Sequence, residues 1–486
     1  MGELVALPVW AIIVLALLAT VAIVDRLLTP LVRFVLAARR EQAVERLNEH
    51  LALPIAPIKL AGRKVLISQL MLDPAVQAAI AAEAQQTGVA LREVEARARG
   101  YGREIVPAFN ASLYFKVGAR LARKLSSAFY RVRVGASDIS ALQGIPPGAS
   151  IVFVINHRSN MDYVLVTYLA SRSSALSYAV GEWARVPGLA GLIRLMGAYF
   201  IRRGSGNQLY RRVLARYVHI ATASGVTQAV FPEGGLSRDG RLQPARLGLL
   251  AYMVTDFDPN GVRDIVFVPV GLNYDRVLED RVLLGAAEQT QPGHKPRFAF
   301  RATTFAGYLG RMSAGRLTGR WYKNGYACVS FGKPVSLKAY LGERAVDFRT
   351  LPEIKRNEEV AGLGAMLMRE IGRAIPALPV SLVAAALVRA GGRQLSTLEL
   401  KASVAGTIIE LRKSGAQVYV PRADEDYAVD VGLRMLTLRR LVTEHGGLWQ
   451  VASGNEALTA YYANAIAHLL PGEPSSSCAD SPSRMP

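Results

Sequence analysis

The sequence predicts an α/β fold: a mainly parallel sheet with helices on both faces, flanked by an N-terminal and a C-terminal helical region. Three observations predict it. From Ser150 onward the short β-branched runs IVFVIN, TQAVF and DIVFVPVGLNY recur, each separated from the next by a stretch of helical periodicity. These runs are continuously apolar rather than alternating, as strands covered on both faces are. Between about Val65 and Tyr130, in LREVEARARGYGREIV and FKVGARLARKL, apolar residues recur three and four apart with Arg and Lys between them, which is the helical period.

Taken in order, the chain divides into five regions. Residues 1–45 hold an apolar run and its basic flank. Leu4 to Val24 is uncharged, and at about 1.5 Å of rise per residue it reaches roughly 31 Å, the thickness of a hydrocarbon core. Glu3 is the only charge ahead of it, whereas Arg26, Arg33, Arg39 and Arg40 follow. That asymmetry points to a membrane anchor, inner or plasma membrane in a bacterium, with the bulk of the chain in the cytoplasm rather than to a secretory signal; a long buried core helix is the alternative. Residues 46–135 form the N-terminal helical region. Residues 136–340 form the α/β domain, completed by a fourth strand, ACVSFGKPVSL, after a polar, Gly-rich stretch around Thr318 to Gly325. After about Lys338 strands are expected to give out, which leaves 341–470 helical, and 471–486 has the composition of a flexible tail.

Composition narrows the function. Of 486 residues, 58 are Lys or Arg and 38 Asp or Glu, for a net charge of +20. The pI is about 10.1 and the mean hydropathy +0.20. A chain that is 51% hydrophobic is not a disordered basic protein. Its field favours polyanions, whether nucleic acid, an anionic bilayer or phosphorylated metabolites and carriers. Against a basic nucleic-acid binder stand the lack of zinc-finger spacing, of an RNP-like aromatic run and of a lysine-rich arm. A noncatalytic membrane scaffold is the other non-enzymatic alternative. Cys328 and Cys478 are too few for a disulfide framework and suit a reducing compartment. His50, His157, His219, His294, His445 and His468 show no ligand spacing, so no metal is expected, and His468, after an apolar helical run, reads as structural.

The chemistry concentrates in Asn156 to Asp162, NHRSNMD, directly after IVFVI. A His and an Asp five apart on one helix would point about 140° apart, so the pair needs a strand, a loop and a new helix. The sequence supplies them: Asn160 or Ser159 can cap the helix MDYVLVTYLA, Asp162 lies in its first turn, and His157 hangs from the strand end, where open α/β sheets bind ligands. A neutral His157 can accept a proton from an alcohol while Asp162 orients the ring and steadies the imidazolium. No G-x-S-x-G elbow lies nearby, so the substrate hydroxyl itself is the expected nucleophile. GAYFIRR places Arg202 and Arg203 after an apolar run, and guanidinium groups suit phosphate. In FPEGGLSR, Gly234 and Gly235 let the backbone approach an oxyanion that Ser237 and Arg238 can bind. VPVGLNYDR ends another strand in the same way, so several loops are expected to converge on one rim.

The order and spacing of NHRSNMD, GAYFIRR, FPEGGLSR and VPVGLNYDR resemble the membrane-bound glycerol-3-phosphate acyltransferase family. The likeness extends upstream through ARGYGREIVPAFN and downstream through NGYACVSFGKPVSL to AYYANAIAHLL, over most of residues 65 to 470. The resemblance implies an acyltransferase core in which His157 is the general base and Asp162 its partner. It implies acceptor binding by Phe200, Arg203, Glu233, Gly234, Ser237 and Arg238, and an acyl-donor region at Pro269. The implied reaction is transfer of a fatty acyl group from acyl-CoA or acyl-carrier protein, as cosubstrate and with no cofactor, to the sn-1 hydroxyl of glycerol 3-phosphate. Membrane lipids are the implied partners, and nucleic acid is not. One departure matters: the bacterial pattern commonly reads E-G-G-R-S-R, whereas Leu236 stands at the first arginine here, and the preceding Phe-Pro is similar to lysophosphatidate acyltransferases. Lysophosphatidate and dihydroxyacetone phosphate therefore stay open as acceptors, although the chain length and flanking helices favour glycerol 3-phosphate.

Overall fold

The computed structural model describes residues 45–49, 51, 53–135, 144–171, 174–181, 189–202, 206–288 and 323–471. The Leu4–Val24 run with its arginine flank, His50, Arg203, His294, Cys478 and the 472–486 tail lie outside them. Contacts divide the chain into Met1–Ile55 and Ala56–Pro486, and the second unit holds the sheet.

The strands are β1 (Arg131–Val134), β2 (Ser150–Ile155), β3 (Ser177–Val180), β4 (Tyr199–Phe200), β5 (Gln228–Val230), β6 (Ile265–Tyr274), β7 (Tyr326–Phe331) and β8 (Val335–Ser336). They run in the order β1-β7-β6-β2-β5-β3-β4, with β8 also paired to β6. All neighbours are parallel except β6 with β7 and β6 with β8. The mainly parallel sheet is therefore as the apolar runs predict, and the four expected strands are β2, β5, β6 and β7 with β8. Missed were β1, β3 and β4. The last two are four and two residues long, too short to show a period. β1 is RVRV, an edge strand with exposed arginines, a pattern that blunts unwanted pairing.

Both faces of the sheet are covered, which is why its strands are apolar throughout. On one face, Val152, Val154 and Phe267 share a core with Ile67, Leu70, Val94 and Ile105 of the N-terminal helices and with Leu363, Leu367 and Ile371 of the helix Glu353–Ala374. One core thus runs through the N-terminal helical region, the sheet and the start of the C-terminal region. On the other face Phe153 and Ile155 line a cavity with Val166, Leu169 and Ala170 of the helix Met161–Ala170. Locally the helices start where the sequence provides caps: Asp73 accepts from the amides of Ala75 (2.9 Å) and Val76 (3.4 Å) ahead of Pro74–Thr87, and its other oxygen takes Arg216 at 2.9 Å.

The expectation that strands end near Lys338 is corrected. β9 (Leu395–Ser396), β10 (Val442–His445) and β11 (Leu448–Val451) form a small antiparallel sheet in the order β10-β11-β9. Gly446 and Gly447 join β10 to β11 with φ of 59° and 79°, a two-residue turn that only such residues make easily. The paired glycines between VTEH and LWQV were the available signal. The helix Pro379–Arg389, β9, the helices Thr397–Lys413 and Glu425–Leu438, and the β10–β11 hairpin follow one another in winged-helix order. His468 is structural as expected, with Nε2 3.0 Å from the Gly372 carbonyl.

β6 meets the end of Glu353–Ala374 at Gly271, where a Cβ would lie 2.2 Å from the Ala374 carbonyl group and 2.4 Å from the Ile375 nitrogen. Backbone cannot yield as a side chain can. Gly271→Ala is therefore expected to destabilise the fold by about 3 kcal/mol, the upper end for overpacking, read as a lowered midpoint in urea; an unchanged midpoint would mean that this helix end is not held against β6.

Candidate active site

The first and third sequence blocks follow β2 and β5, the second spans β4 and the fourth forms the end of β6; these strands are mutually parallel or linked through parallel neighbours, so the residues that close them share the carboxyl rim of the sheet. β2 lies between β5 and β6. Asn156, just past β2, is locked to β6: its Nδ2 donates to the Leu272 carbonyl (2.9 Å) and its Oδ1 accepts from the Leu272 amide (2.7 Å). The chain then leaves the sheet as a loop, not a helix, which lets His157 turn back on Asp162. His157 Nδ1 lies 2.9 Å from Asp162 Oδ2, and both side chains are buried, at 2% and 0% exposure. With Nδ1 taken, Nε2 is the nitrogen left to exchange a proton. Phe231 stacks on the imidazole with centroids 4.2 Å apart, and Tyr163 packs its ring edge-on at 5.3 Å.

The loop is held by carboxylates. Asp162 Oδ2 also accepts from the amides of Arg158 (2.7 Å) and Ser159 (3.0 Å). Glu233 Oε1 accepts from the His157 amide at 2.6 Å and its Oε2 from the Gln243 amide at 2.9 Å. Glu279 Oε2 accepts the Ser159 hydroxyl (2.8 Å) and its Oε1 the Asn160 amide (3.2 Å). Of the two candidate caps, it is Ser159 whose Oγ accepts from the Met161 amide, at 3.1 Å, while Asn160 makes no side-chain cap bond. The buried Arg158 guanidinium supplies opposing charge and donates to the Gly240 carbonyl at 3.0 Å. Burial pushes the Glu233 carboxyl up to about 7, against the pull of the His157 and Gln243 amides and of Arg158.

The other expected residues are placed as follows. Gly234 has φ +67°, and a Cβ there would meet the Arg246 side chain at 2.5 Å, so the turn requires glycine. Gly235 is half-buried beside it. The Ser237 amide donates to the His157 carbonyl (3.0 Å), but its hydroxyl points into its own loop and donates to the Arg241 carbonyl (2.7 Å). Arg238 is exposed. Phe200 is buried in β4 with the Arg194 guanidinium 4.8 Å above its ring. Arg202 forks onto Glu104, Nε to Oε1 at 2.9 Å and Nη2 to Oε2 at 2.5 Å, between Tyr101 and Tyr210. β4 is the third strand from β2, roughly 14 Å away at about 4.8 Å per strand. His157, Asp162, Glu233 and Ser237 are thus brought together; Phe200 and Arg202 stand farther along the rim. Pro269 lies inside β6 opposite Val154, and its carbonyl accepts from the Gly332 amide (2.8 Å), so the N–H it lacks faces the same flank and costs the β2 ladder nothing.

Residues 137–273 match the family described as Acyltransferase, and residues 317–473 that described as Glycerol-3-phosphate acyltransferase C-terminal region. A glycerol-3-phosphate acyltransferase of Pseudomonas entomophila is 31% identical over 429 residues, covering 85% of this chain and 50% of that protein. One from Pseudomonas putida is 30% identical over 425 residues, covering 85% and 49%. This chain belongs to the glycerol-3-phosphate acyltransferase family of the acyltransferase superfamily. It spans about half the length of the curated relatives it matches. The crystal structure of a 1-acyl-sn-glycerophosphate acyltransferase from Thermotoga maritima aligns over 64% of this chain and 97% of its own at 17% identity, with a TM-score of 0.29.

Within this family member, sequence reasoning took only Pro269 from the fourth block and missed Tyr274 and Glu279. Tyr274 Oη donates to Asp162 Oδ1 at 2.6 Å. Burial, and then the neighbouring Asp162, raise the phenol well above its ordinary value, so it remains a donor. A hydroxyl closing an apolar strand at the ligand-binding rim was the signal available.

Two outcomes follow from this geometry. Tyr274→Phe strips a donor from a buried carboxylate, so acylation kcat is expected to fall about 10- to 100-fold. A kcat equal to that of the wild type would detach Tyr274 from the His157–Asp162 pair. Glu233, with its folded value raised from 4.5 to about 7, binds more proton folded than unfolded in that window, so its contribution to stability is present at the acidic end and is lost as pH rises through about 7. Glu233→Gln removes the titration, and its melting temperature should fall less between about pH 5 and 8 than that of the wild type; equal slopes would mean that Glu233 does not titrate there.

Proposed function

We propose that this chain transfers a fatty acyl group from acyl-CoA or acyl-carrier protein to the sn-1 hydroxyl of glycerol 3-phosphate, forming lysophosphatidate for phospholipid synthesis. The observation that carries the reading is the buried His157–Asp162 pair, with Nδ1 fixed and Nε2 available, in a member of this family. His157 Nε2 takes the hydroxyl proton as the oxygen attacks the thioester carbon, and the imidazolium forms against Asp162. Collapse of the tetrahedral intermediate expels the thiolate, which takes a proton back from the imidazolium.

Phe153, Ile155, Val166, Leu169, Val270 and Phe331 line a narrow cavity of about 40 Å³ between the sheet and the helix that carries Asp162, apolar as an acyl chain requires but much smaller than one. Arg238 is exposed on the loop after β5, where an anionic substrate would find a cation, whereas the Arg202 guanidinium is taken up by Glu104. The nucleic-acid alternative gains nothing from the winged-helix order of the C-terminal region. The helix that would enter a groove opens on Glu425 and Asp426, of the wrong sign for phosphate. Among the described residues no single helix is long and apolar enough to cross a bilayer, and the bent pair Arg63–Met71 and Pro74–Thr87 passes that test by length and composition only. The proposed membrane attachment rests on the Leu4–Val24 run. Leu236 and the Phe-Pro before Glu233 favour lysophosphatidate as a second acceptor.

Purified protein offered acyl-CoA and acyl-carrier protein with glycerol 3-phosphate, lysophosphatidate and dihydroxyacetone phosphate should consume thioester and yield lysophosphatidate from the first acceptor. In His157→Ala, turnover should fall by about 10² to 10⁴ or to background with the melting temperature kept. Full activity in that variant would sink the mechanism, and a different acylated lipid would reassign the acceptor.

A further inference from the structure

The sequence AYYANAIAHLL ends the helix Glu456–Ala467 and runs three residues past it, far along the chain from the four blocks, and the mechanism gives it no task. It touches two of the block loops. Asn464 Nδ2 donates to the Asp239 carbonyl at 2.8 Å, and Gly240, with φ +83°, lets the third-block loop press on the Tyr461 backbone, where a Cβ would lie 2.0 Å from the carbonyl oxygen. On the β6 side, Tyr462 Oη accepts from the Val277 amide (3.1 Å) and from Arg439 Nη1 (2.6 Å) and donates to Asp280 Oδ2. Arg439 Nη2 bonds the same oxygen, and the Arg439 and Asp280 side chains are 8% and 5% exposed. Asp280 directly follows Glu279, the residue that takes the Ser159 hydroxyl and the Asn160 amide. Contacts therefore run from the C-terminal helix through Tyr462, Asp280 and its neighbour Glu279 to the loop that carries His157.

We propose that Glu279 is a positioning residue for the His157–Asp162 loop, and that Tyr462 and Arg439 of the C-terminal region hold it there by clamping Asp280. This deepens the acyltransferase reading and rests on it for the turnover arm of its test. The physical case is one of reach. Glu279 must sit where both of its oxygens meet the loop, and it directly precedes the helix Asp280–Glu288, whose first residue is bonded from the C-terminal region by Tyr462 and Arg439. The doubly bonded Asp280 fixes that turn from outside. When it is released, Glu279 drifts, Ser159 turns, and its amide leaves Asp162 Oδ2, the oxygen that holds the imidazole.

The test is a double-mutant cycle with Glu279→Gln and Tyr462→Phe in the full chain, both near-isosteric and each checked by its melting temperature. Glu279→Gln should lower kcat on the order of 10²-fold and Tyr462→Phe about tenfold, the cost of a loop misplaced by up to an ångström, with the KM of either substrate within about twofold. The pair together should be little worse than Glu279→Gln alone, because Tyr462 acts through Glu279. A readout without substrate separates this inference from the enzyme assignment: the low-field Nδ1–H proton signal of His157, which should shift or broaden in both variants. Additive losses, or KM rising with kcat unchanged, would overturn the relay. A His157 signal identical to that of the wild type in both variants would do so even if none of the acceptors is acylated.

Discussion

The amides of His157, Arg158, Ser159 and Asn160 donate in succession to Glu233, Asp162, Asp162 and Glu279. Three carboxylates around one short loop would repel each other and resist burial. The four amides, the Tyr274 and Ser159 hydroxyls and the inward guanidinium of Arg158 offset that cost, and Glu233 lowers it further by holding its proton close to neutrality. Amides spent in this way cannot enter a helix, so the loop stays a loop, and a His and an Asp five residues apart can meet. The strand order serves this arrangement. With β2 between β5 and β6, one neighbour delivers Glu233 and the other delivers Tyr274 and Glu279, on either side of the loop.

This balance also explains why little of the +20 charge is found at the reacting atoms. The buried Arg158 guanidinium donates to the Gly240 carbonyl and favours the charged form of Glu233. Arg202 is joined to Glu104 at the outer part of the rim.

Much of the fold was legible because buried parallel strands leave long apolar runs; β2 and β6 are such runs, buried over their whole length. β3, β4 and β9 were not, since two to four residues show no period and their conformation is set by the neighbour they pair with. In the site, His157 and Asp162 were legible as neighbours in one block. Residues that act across the chain were not: Glu104 meets Arg202 98 positions away and Tyr274 meets Asp162 112 positions away. Ser237 was legible by type but not by direction, because a hydroxyl that satisfies its own loop looks the same in sequence as one that waits for a ligand.

The core that joins Ile67 to Val154 and Ile371 has a consequence for the newborn chain. At about 5 to 20 residues per second, the roughly 300 residues between the first helices and Ile371 take on the order of 15 to 60 s to synthesise. For that interval the apolar stripe of Val76, Ile80 and Val94 has only part of its final covering. The sheet cannot close as a finished layer until the ribosome has passed Glu353–Ala374. The core of this protein therefore closes late in synthesis, and its early helices receive the last of their covering only when Glu353–Ala374 has been made.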